Sequence, residues 1–302
     1  MSLPPVSLRQ LEYLVAVADT GGMTAAAAQC HVSQSAISLA VADLERLLDV
    51  RLVIRGPRRG TSLTDAGRQV VAEARHVLGA VADLSTGAQR LGRDLAGRLR
   101  IGCYSPIAPL HLPPAMAGFR AGHPEVEIEF IEGTLPDLQA RLLDGTCELA
   151  FLYQQDIVPG IDTTILYDQQ PSVLLSAKHR LAKRKAVSLK DLAGEPLILL
   201  DVPPSAHYFQ AVFDAVGQPM HVAHRASSFD LARAMVARGL GYSLAVQRPQ
   251  ANVSLEGLPL KSIPLRDTVP TTPVVLGWAA GGRLTRRAEV FLRFCGTLFP
   301  LP

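Results

Sequence analysis

The stretch Val32-Ser33-Gln34-Ser35-Ala36-Ile37-Ser38, followed by Leu44-Glu45, decides the fold of this chain. Apolar residues recur through it at helical spacing and would face a core: Ala36, Ile37, Ala40, Val41, Leu44 and Leu48. The opposite stripe is polar at its N-terminal end and consists of Gln34, Ser35, Ser38, Leu39 and Ala42. Because a recognition helix reads base edges with its first turns, this stripe predicts entry into a DNA groove. Taken alone, an ordinary amphipathic helix with Ser33 as its N-cap is the alternative.

The residues on either side extend the pattern to a winged helix-turn-helix. Upstream, residues 8–14 open one helix, Gly21-Gly22 ends it, and residues 23–28 start an alanine-rich helix before the turn at His31-Val32. Downstream, two short extended runs flank the basic tip Gly56-Pro57-Arg58-Arg59-Gly60, as in a wing. In such a fold the middle helix crosses the DNA backbone and the third enters the groove. We therefore predict a DNA-binding domain over residues 1–65.

This organisation resembles the LysR-type transcriptional regulators. The chain matches their Val-Ser-Gln-x-Ala-x-Ser element, their Leu-Glu pair, and segments similar to Leu-Gly-Val-x-Leu-Phe-x-Arg and Leu-Thr-x-Ala-Gly, in the right order and spacing. It departs from the family at Val53, where Phe is usual, and at Asp49, where Gly is frequent. Leu39 and Ala40 stand at positions that are often basic or polar, which removes groups that could contact phosphate or bases. The resemblance implies a sequence-specific DNA-binding regulator that responds to a small-molecule effector.

We predict DNA contacts from two groups of residues: Ser33, Gln34, Ser35, Ser38 and Leu39 on the helix, and Arg55, Arg58 and Arg59 at the wing. Charge alone would not reveal a DNA binder, since the chain carries 30 Lys+Arg against 27 Asp+Glu, and residues 1–65 hold six arginines against six acids. The arginines are unevenly placed, however, with four between Arg51 and Arg59 and no acid among them. Wing arginines can straddle phosphates or enter the minor groove, whereas a solvated basic loop is the alternative.

Composition sets the remaining bounds. A chain of 302 residues with 48% hydrophobic residues predicts two domains, one of them bilobal. The sequence contains no run of about 18 apolar residues and no signal pattern, so we expect a soluble, cytoplasmic protein that binds no membrane.

The cysteine and histidine patterns indicate neither a metal nor a cofactor. Cys30, Cys103, Cys147 and Cys295 have no CxxC spacing, which favours reduced thiols. A peroxide-sensing disulfide between Cys103 and Cys147 is the alternative. The isolated pair His221 and His224 is more often incidental than a metal site.

A long helix with a coiled-coil seam is predicted over residues 66–92. Residues spaced alternately by four and three form the seam: Val70, Ala74, Val77, Val81, Leu84, Ala88 and Leu91. Glycines at 79 and 87 weaken the helix, so helicity would depend on pairing, and Gly92 and Gly97 mark a hinge. The resemblance also implies a dimerising linker helix here. We expect a homodimer through this helix, assembling further into a homotetramer, so that two heads bind half-sites about one helical turn or more apart.

From residue 93 to 302 strands alternate with helices, which predicts mixed sheets covered by helices and an α/β fold overall. The expected strands cover residues 98–102, 126–131, 149–153, 173–176, 197–200, 242–246 and 273–279. The expected helices cover residues 110–121, 135–144, 206–215, 229–238 and 286–299. By resemblance this is an effector-binding domain similar to periplasmic binding proteins, with lobe I near 97–166 and 270–302 and lobe II near 167–269.

The expected effector cleft lies between these lobes, because ligands on such sheets bind beyond the carboxyl ends of strands. The residues predicted to line it are Tyr104, Ser105, Thr134, Asp201, Ser205 and Phe229. Ser105 and Thr134 would donate hydrogen bonds to a polar or anionic group, and Phe229 would form an apolar wall. For each hydroxyl, simple helix capping is the alternative. Asp201 would repel a carboxylate unless it pairs with a base.

Two other classes of protein compete with this reading. An enzyme in the two-lobed part would need a catalytic motif, but there is no Gly-x-Ser-x-Gly elbow and no P-loop, and Gly239-Leu240-Gly241 is an incomplete dinucleotide fingerprint. A ligand-binding protein without DNA function would make the helix-turn-helix resemblance accidental. We predict a regulator and no enzymatic activity.

Overall fold

The computed structural model describes residues 6–56, 60–89, 95–247, 249 and 251–299. Its N-terminal part, the head, contains α1 (Leu8–Thr20), α2 (Met23–Gln29), α3 (Gln34–Leu48), β1 (Val53–Gly56) and β2 (Gly60–Leu63). The head core is formed by buried residues that include Leu14, Ile37, Val41, Leu44 and Leu52. The prediction that Leu48 faces the core is wrong, because this last residue of α3 is 39% exposed.

Local sequence explains where the head helices begin and end. Ser7 and Gln10 form a capping box at the start of α1, and Gly21 ends it in the left-handed conformation. The Ser33 hydroxyl accepts a hydrogen bond from the Ala36 N–H and caps α3. The Glu45 carboxylate accepts the N–H groups of Leu52 and Val53 at 2.7 and 3.1 Å, which fixes the entry to the wing.

The linker helix, α4, spans Asp65–Gln89 and packs on α1 at its N-terminal end. Val71 belongs to the head core, and Ala74 of the predicted seam is buried within the single chain. Leu91 of the seam and the predicted hinge residue Gly92 lie outside the described residues. The limits predicted for the domains therefore stay predictions.

Lobe I is a five-stranded sheet in the order β4-β3-β5-β12-β6. Its strands are β3 (Gly97–Tyr104), β4 (Val126–Gly133), β5 (Leu149–Tyr153), β6 (Ile161–Tyr167) and β12 (Val274–Ala279). Strand β3 pairs in parallel with β4 and β5, whereas β12 runs antiparallel to β5 and β6. The helices of this lobe are α5 (Ala108–Gly122), α6 (Leu135–Leu143) and α9 (Arg286–Leu298).

Lobe II contains two smaller sheets. An antiparallel sheet joins β10 (Ser243–Ala245), β7 (Ser172–Ser176) and β11 (Leu260–Pro264), and a parallel pair joins β8 (Leu197–Leu200) and β9 (Val222–Ala226). Its helices are α7 (Ser205–Ala215), α8 (Phe229–Ala237) and a 3₁₀ turn at Leu189–Leu192. The chain enters this lobe between β6 and β7 and returns to lobe I between β11 and β12. The arrangement confirms the predicted α/β fold class, with the head, the long helix and two lobes.

Three strands were not predicted from the sequence: β6, β9 and β11. Each carries polar residues among its apolar ones, as in Asp162-Thr163-Thr164 and His224-Arg225, so neither a continuous apolar run nor clean alternation identifies it. None of the described helices is both long and apolar enough to cross a membrane.

The first turn of α4 allows a direct test of head packing at Gly67. A Cβ on Gly67 would lie 2.0 Å from the Leu52 backbone oxygen, so Gly67→Ala forces the helix and the wing entry apart. We expect it to cost about 1–3 kcal/mol in the head. The matched change Gly79→Ala, where the nearest atom is 3.9 Å away, should instead stabilise the helix by about 0.5–1 kcal/mol.

Urea denaturation can report on the head and on lobe I by different signals, because the single tryptophan of the chain, Trp278, lies in β12 of lobe I. Gly67→Ala should lower the midpoint followed by helical circular dichroism and leave the Trp278 fluorescence midpoint unchanged. An unchanged dichroism midpoint would contradict the packing described at Gly67.

Candidate DNA-binding face and effector cleft

The first turns of α3 present the predicted reading stripe to solvent. Gln34 and Ser35 are exposed, Leu39 is 64% exposed, and Ser38 is half-buried. The Ser33 hydroxyl accepts the Ala36 N–H at 3.2 Å and lies 2.9 Å from the Ser35 hydroxyl, so it is already engaged in capping. Gln34, Ser35 and Leu39 are therefore the groups best placed to reach base edges.

The wing is anchored to the rest of the head by backbone contacts. Strand β1 pairs with β2 with Arg55 opposite Thr61, and the Thr61 N–H donates to the Gly21 carbonyl at 3.1 Å. Of the predicted wing contacts, Arg58 and Arg59 lie outside the described residues, and only the backbone of Arg55 is described. Their role on DNA stays a prediction.

Between the lobes lies a small enclosed space, here called the inner cavity, of about 30 Å³. Lobe I and the return crossing contribute Pro106, Tyr153, Gln155 and Thr272 to its lining. Lobe II contributes Ser205, Tyr208, Phe209, Phe229, Leu244 and Gln247, among others. A space of this size holds one or two water molecules.

Hydrogen bonds made by the Tyr104 and Tyr153 hydroxyls hold the lobes together around this cavity. The Tyr104 hydroxyl, at the end of β3, lies 3.1 Å from the Ser205 hydroxyl and 3.2 Å from the Val202 carbonyl of lobe II. The Gln247 amide of lobe II donates to the Tyr153 hydroxyl of lobe I at 2.9 Å. Burial raises the pKa of Tyr104 to about 12, so this contact is a neutral one.

Three of the six predicted cleft residues lie at the inner cavity or at the contact between the lobes. Tyr104 and Ser205 meet in the contact between the lobes, and Phe229 and Ser205 line the inner cavity. Phe229 and Ser105 also line the outer groove, a space of about 550 Å³ at the mouth of the cleft that includes Ser227, Asp230, Arg233 and Leu255.

The other three predicted side chains, two hydroxyls and one carboxylate, already have partners. Ser105 donates to the Gly133 carbonyl at 3.2 Å, and Thr134 caps α6 and donates to Asp137 at 2.6 Å. Asp201 is exposed and pairs with Arg225 at 3.1 Å, which supplies the base that the sequence argument required. Thr134 and Asp201 line neither the inner cavity nor the outer groove.

Sequence reasoning missed Gln155, Gln247 and Thr272 as cavity residues. Gln155 and Gln247 lie just beyond the ends of β5 and β10, so the rule used for Tyr104 could have found them. Thr272 comes just before β12 on the return crossing, and no local signal marks it.

One arginine joins the head, the linker helix and lobe I. Arg75 of α4 pairs with Asp19 of α1 and donates to the Asp144 carbonyl of lobe I at 2.7 Å. Its side chain is 13% exposed. This junction places lobe I directly against the head.

The cysteines do not form a redox pair in this fold. A Cβ on Gly102 would lie 3.6 Å from the Cys147 sulfur, and consecutive strand residues point to opposite faces, so Cys103 points to the other side of the sheet. In this structure Cys103 and Cys147 therefore do not form the alternative disulfide, and all four cysteines are free. Burial raises the pKa of Cys147 to about 11 and that of Cys103 well above its usual value, which disfavours the reactive thiolate.

Comparison with known proteins covers both parts of the chain. Residues 8–68 match the bacterial regulatory helix-turn-helix protein, lysR family, and residues 92–300 match the LysR substrate binding domain. The hydrogen peroxide-inducible genes activator of Pectobacterium carotovorum subsp. carotovorum is 33% identical over 79% of each chain.

Two solved structures from Pseudomonas aeruginosa are similar over nearly the full length. HinK, a LysR family transcriptional regulator, is 35% identical with a TM-score of 0.66, over 97% of this chain and 98% of its own. A full-length OxyR variant is 26% identical with a TM-score of 0.75, over the same shares of the two chains.

The exposed side chain of Gln34 generates a prediction about base reading. Gln34→Ala should reduce discrimination between a specific site and random DNA by about 1–3 kcal/mol per half-site, because a glutamine can bind adenine through two hydrogen bonds. The measurement is competitive binding against both kinds of DNA at fixed salt. Gln218→Ala in lobe II is the matched control and should change neither affinity. Equal losses on both DNAs would mean that Gln34 does not read bases.

Proposed function

Since the chain belongs to the LysR family of transcriptional regulators, which bind DNA and respond to effectors, we propose that it reads its operator as a homodimer and changes its hold on that operator when a small molecule binds between its lobes. The exposed first turn of α3, with Gln34 and Ser35 presented to solvent, is the observation that supports operator reading most directly. Because the target is DNA, we place the protein in the cytoplasm. We propose a regulatory role and no catalytic one.

The outward face of the linker helix supports pairing of two chains. Val77 is 42% exposed in the single chain and Val81 is half-buried, whereas Arg75 and Gly79, on the other side, lie against lobe I. Ala74 is buried in its own chain, so the free part of the seam begins at Val77. We propose that two linker helices pair from there onward and that dimers associate further into a homotetramer.

Operator binding with an assembly variant tests this function. The purified protein should bind DNA upstream of its own gene far more tightly than random DNA. Val77→Glu would bury a charge against its counterpart in the partner, so it should separate the protomers and abolish tight operator binding. Sedimentation and DNA-binding titrations give the two readouts.

Ala215→Glu adds the same charge at an exposed position in lobe II and serves as the control. It should leave both assembly and binding unchanged. A Val77→Glu protein that remains a dimer with normal affinity would refute the helix pairing. Equal binding of the wild type to operator and random DNA would refute operator reading.

We propose that the effector is a small organic molecule. One relative is named as a hydrogen peroxide-inducible activator, but the cysteines of this chain do not favour peroxide sensing. Cys103, Cys147 and Cys295 are buried with raised pKa values, and the pKa of half-buried Cys30 is also raised. A thiol that stays protonated is a poor nucleophile toward peroxide.

We propose that the Arg75 junction carries the effector signal from the lobes to the head. A ligand changes DNA binding only if it favours one arrangement of the lobes over the other. The chain crosses between the lobes only before β7 and after β11, so the lobes can turn relative to each other. Arg75 holds lobe I against α1 through Asp144 and Asp19, so a turn of lobe I would shift the head as well.

A double-mutant cycle tests this route without a known effector. Tyr104→Phe removes the Tyr104–Ser205 contact, worth about 0.5–1.5 kcal/mol, and should change operator affinity several-fold by loosening the lobes. In an Arg75→Met background the same change should have no effect on operator affinity. Arg98→Met, at an exposed lobe I arginine that pairs with Glu129, is the control and should preserve the effect of Tyr104→Phe. An undiminished effect in Arg75→Met would rule out the junction.

A further inference from the structure

The inner cavity contains no charged group among the described residues that line it. Its polar groups are the hydroxyls of tyrosine, serine and threonine and the amides of Gln155 and Gln247. Burial raises the pKa values of Tyr153 and Tyr208, so both phenols stay neutral. The remaining wall is apolar and includes Phe209, Leu244 and Phe229.

One of these polar groups is unsatisfied. Thr272 is 1% exposed, and its hydroxyl has no hydrogen-bond partner among the described residues. A buried hydroxyl without a partner is costly to the fold, so such a group usually has a water, an ion or a ligand to bind. Because Thr272 lines the inner cavity, a molecule held there lies beside this side chain.

The inner cavity connects to the outside past one aromatic side chain. Phe229 and Pro106 line both the inner cavity and the outer groove, so they form the partition between the two spaces. The groove lining, unlike that of the cavity, includes the charged residues Asp230 and Arg233. Arg233 of the groove stacks on Phe229 with its guanidinium 5.5 Å from the ring centroid, and it donates to the carbonyls of Ala251 and Val253. A turn of Phe229 would merge the cavity of about 30 Å³ with the groove of about 550 Å³.

We propose that the effector of this regulator is an uncharged small molecule whose polar group enters past Phe229 and hydrogen-bonds to the Thr272 hydroxyl at the inner cavity, while its apolar body occupies the adjoining outer groove. This inference rests on the proposed effector function and narrows the chemical class of its ligand. It narrows the polar or anionic group predicted from the sequence to an uncharged one, and it moves the hydrogen bond from Ser105 and Thr134 to Thr272.

The electrostatic reason is the cost of burying an ion. A carboxylate loses its hydration on entering the cavity, and neutral hydroxyls and amides replace only part of it without a cation. A primary amide or an alcohol loses far less and can pair with Thr272 and Gln155. The apolar wall then favours a hydrocarbon or aromatic body over a sugar-like one.

Matched pairs of probes differing only in charge test the proposal. The pairs are benzamide with benzoate and isobutyramide with isobutyrate, each at millimolar concentration with the full-length protein. Thermal shift and calorimetry should give tighter binding of the amide than of the carboxylate in at least one pair. Thr272→Val keeps the shape of the side chain and removes its hydroxyl, so it should weaken amide binding about fivefold to tenfold.

The Thr272→Val protein has its own readout in the absence of probes. Removing an unsatisfied buried hydroxyl should raise its Tm by about 2 °C, which shows that the variant folds. Arg248 follows Gln247 in the chain and lies outside the described residues, so Arg248→Gln is measured alongside. The amide preference should persist in that variant.

Three results would overturn the proposal. The first is tighter binding of the carboxylates than of the amides, whether or not Arg248→Gln abolishes that binding. The others are no binding of either amide, and equal amide affinity in the wild type and in Thr272→Val. Operator binding measured on the same preparations separates this failure from failure of the proposed function. Specific DNA binding without an amide response contradicts only the ligand class.

Discussion

The hydrogen bond between the Tyr104 and Ser205 hydroxyls is the contact on which the arrangement of the two lobes depends. It joins the end of the first strand of lobe I to the first turn of a lobe II helix, and the bond from Gln247 to Tyr153 supports it. Such neutral bonds contribute about 0.5–1.5 kcal/mol each. Such bonds favour one arrangement of the lobes while leaving the difference between arrangements within reach of a weakly binding small molecule.

The neutral bonds between the lobes contrast with the junction at Arg75, which contains a charged group. Arg75 pairs with an acid in the head and with a carbonyl in lobe I, and it is mostly buried. A charge-assisted contact is about twice as strong as a neutral one, so the junction should stay intact while the bonds between the lobes break. On the proposed route, a movement that starts at the inner cavity would then be passed to the head rather than absorbed at the linker helix.

Sequence patterns predicted the head more completely than the cleft. The helix-turn-helix depends on local signals, such as the Ser33 cap and the helical spacing of Ile37, Val41 and Leu44. The cleft depends on residues far apart in the chain, and Tyr104 meets Ser205 only because two lobes fold against each other. The strand-end rule placed both residues near the cleft, but it could not show that they bind each other.

The same distinction applies to the predicted hydroxyls that already have partners and to the hydroxyl that was missed. Ser105 and Thr134 follow strands and were expected to face a ligand, but nearby acceptors on Gly133 and Asp137 occupy them. Thr272 has no such neighbour, and this depends on how the return crossing packs rather than on any local pattern. A sequence gives the position of a polar group, whereas only the fold shows whether its hydrogen bond is already made.

The charge of the head determines how strongly the switch can act on DNA. Residues 1–65 contain six arginines, six acids and no lysine, so a single head gains little from general attraction to phosphates. In the proposed homodimer, tight binding would then come from base contacts made by two heads at once, and it would depend on the distance between them. A small change in that distance costs the second head its contacts. A neutral reading head therefore makes the operator affinity sensitive to lobe movements that a strongly basic head would tolerate.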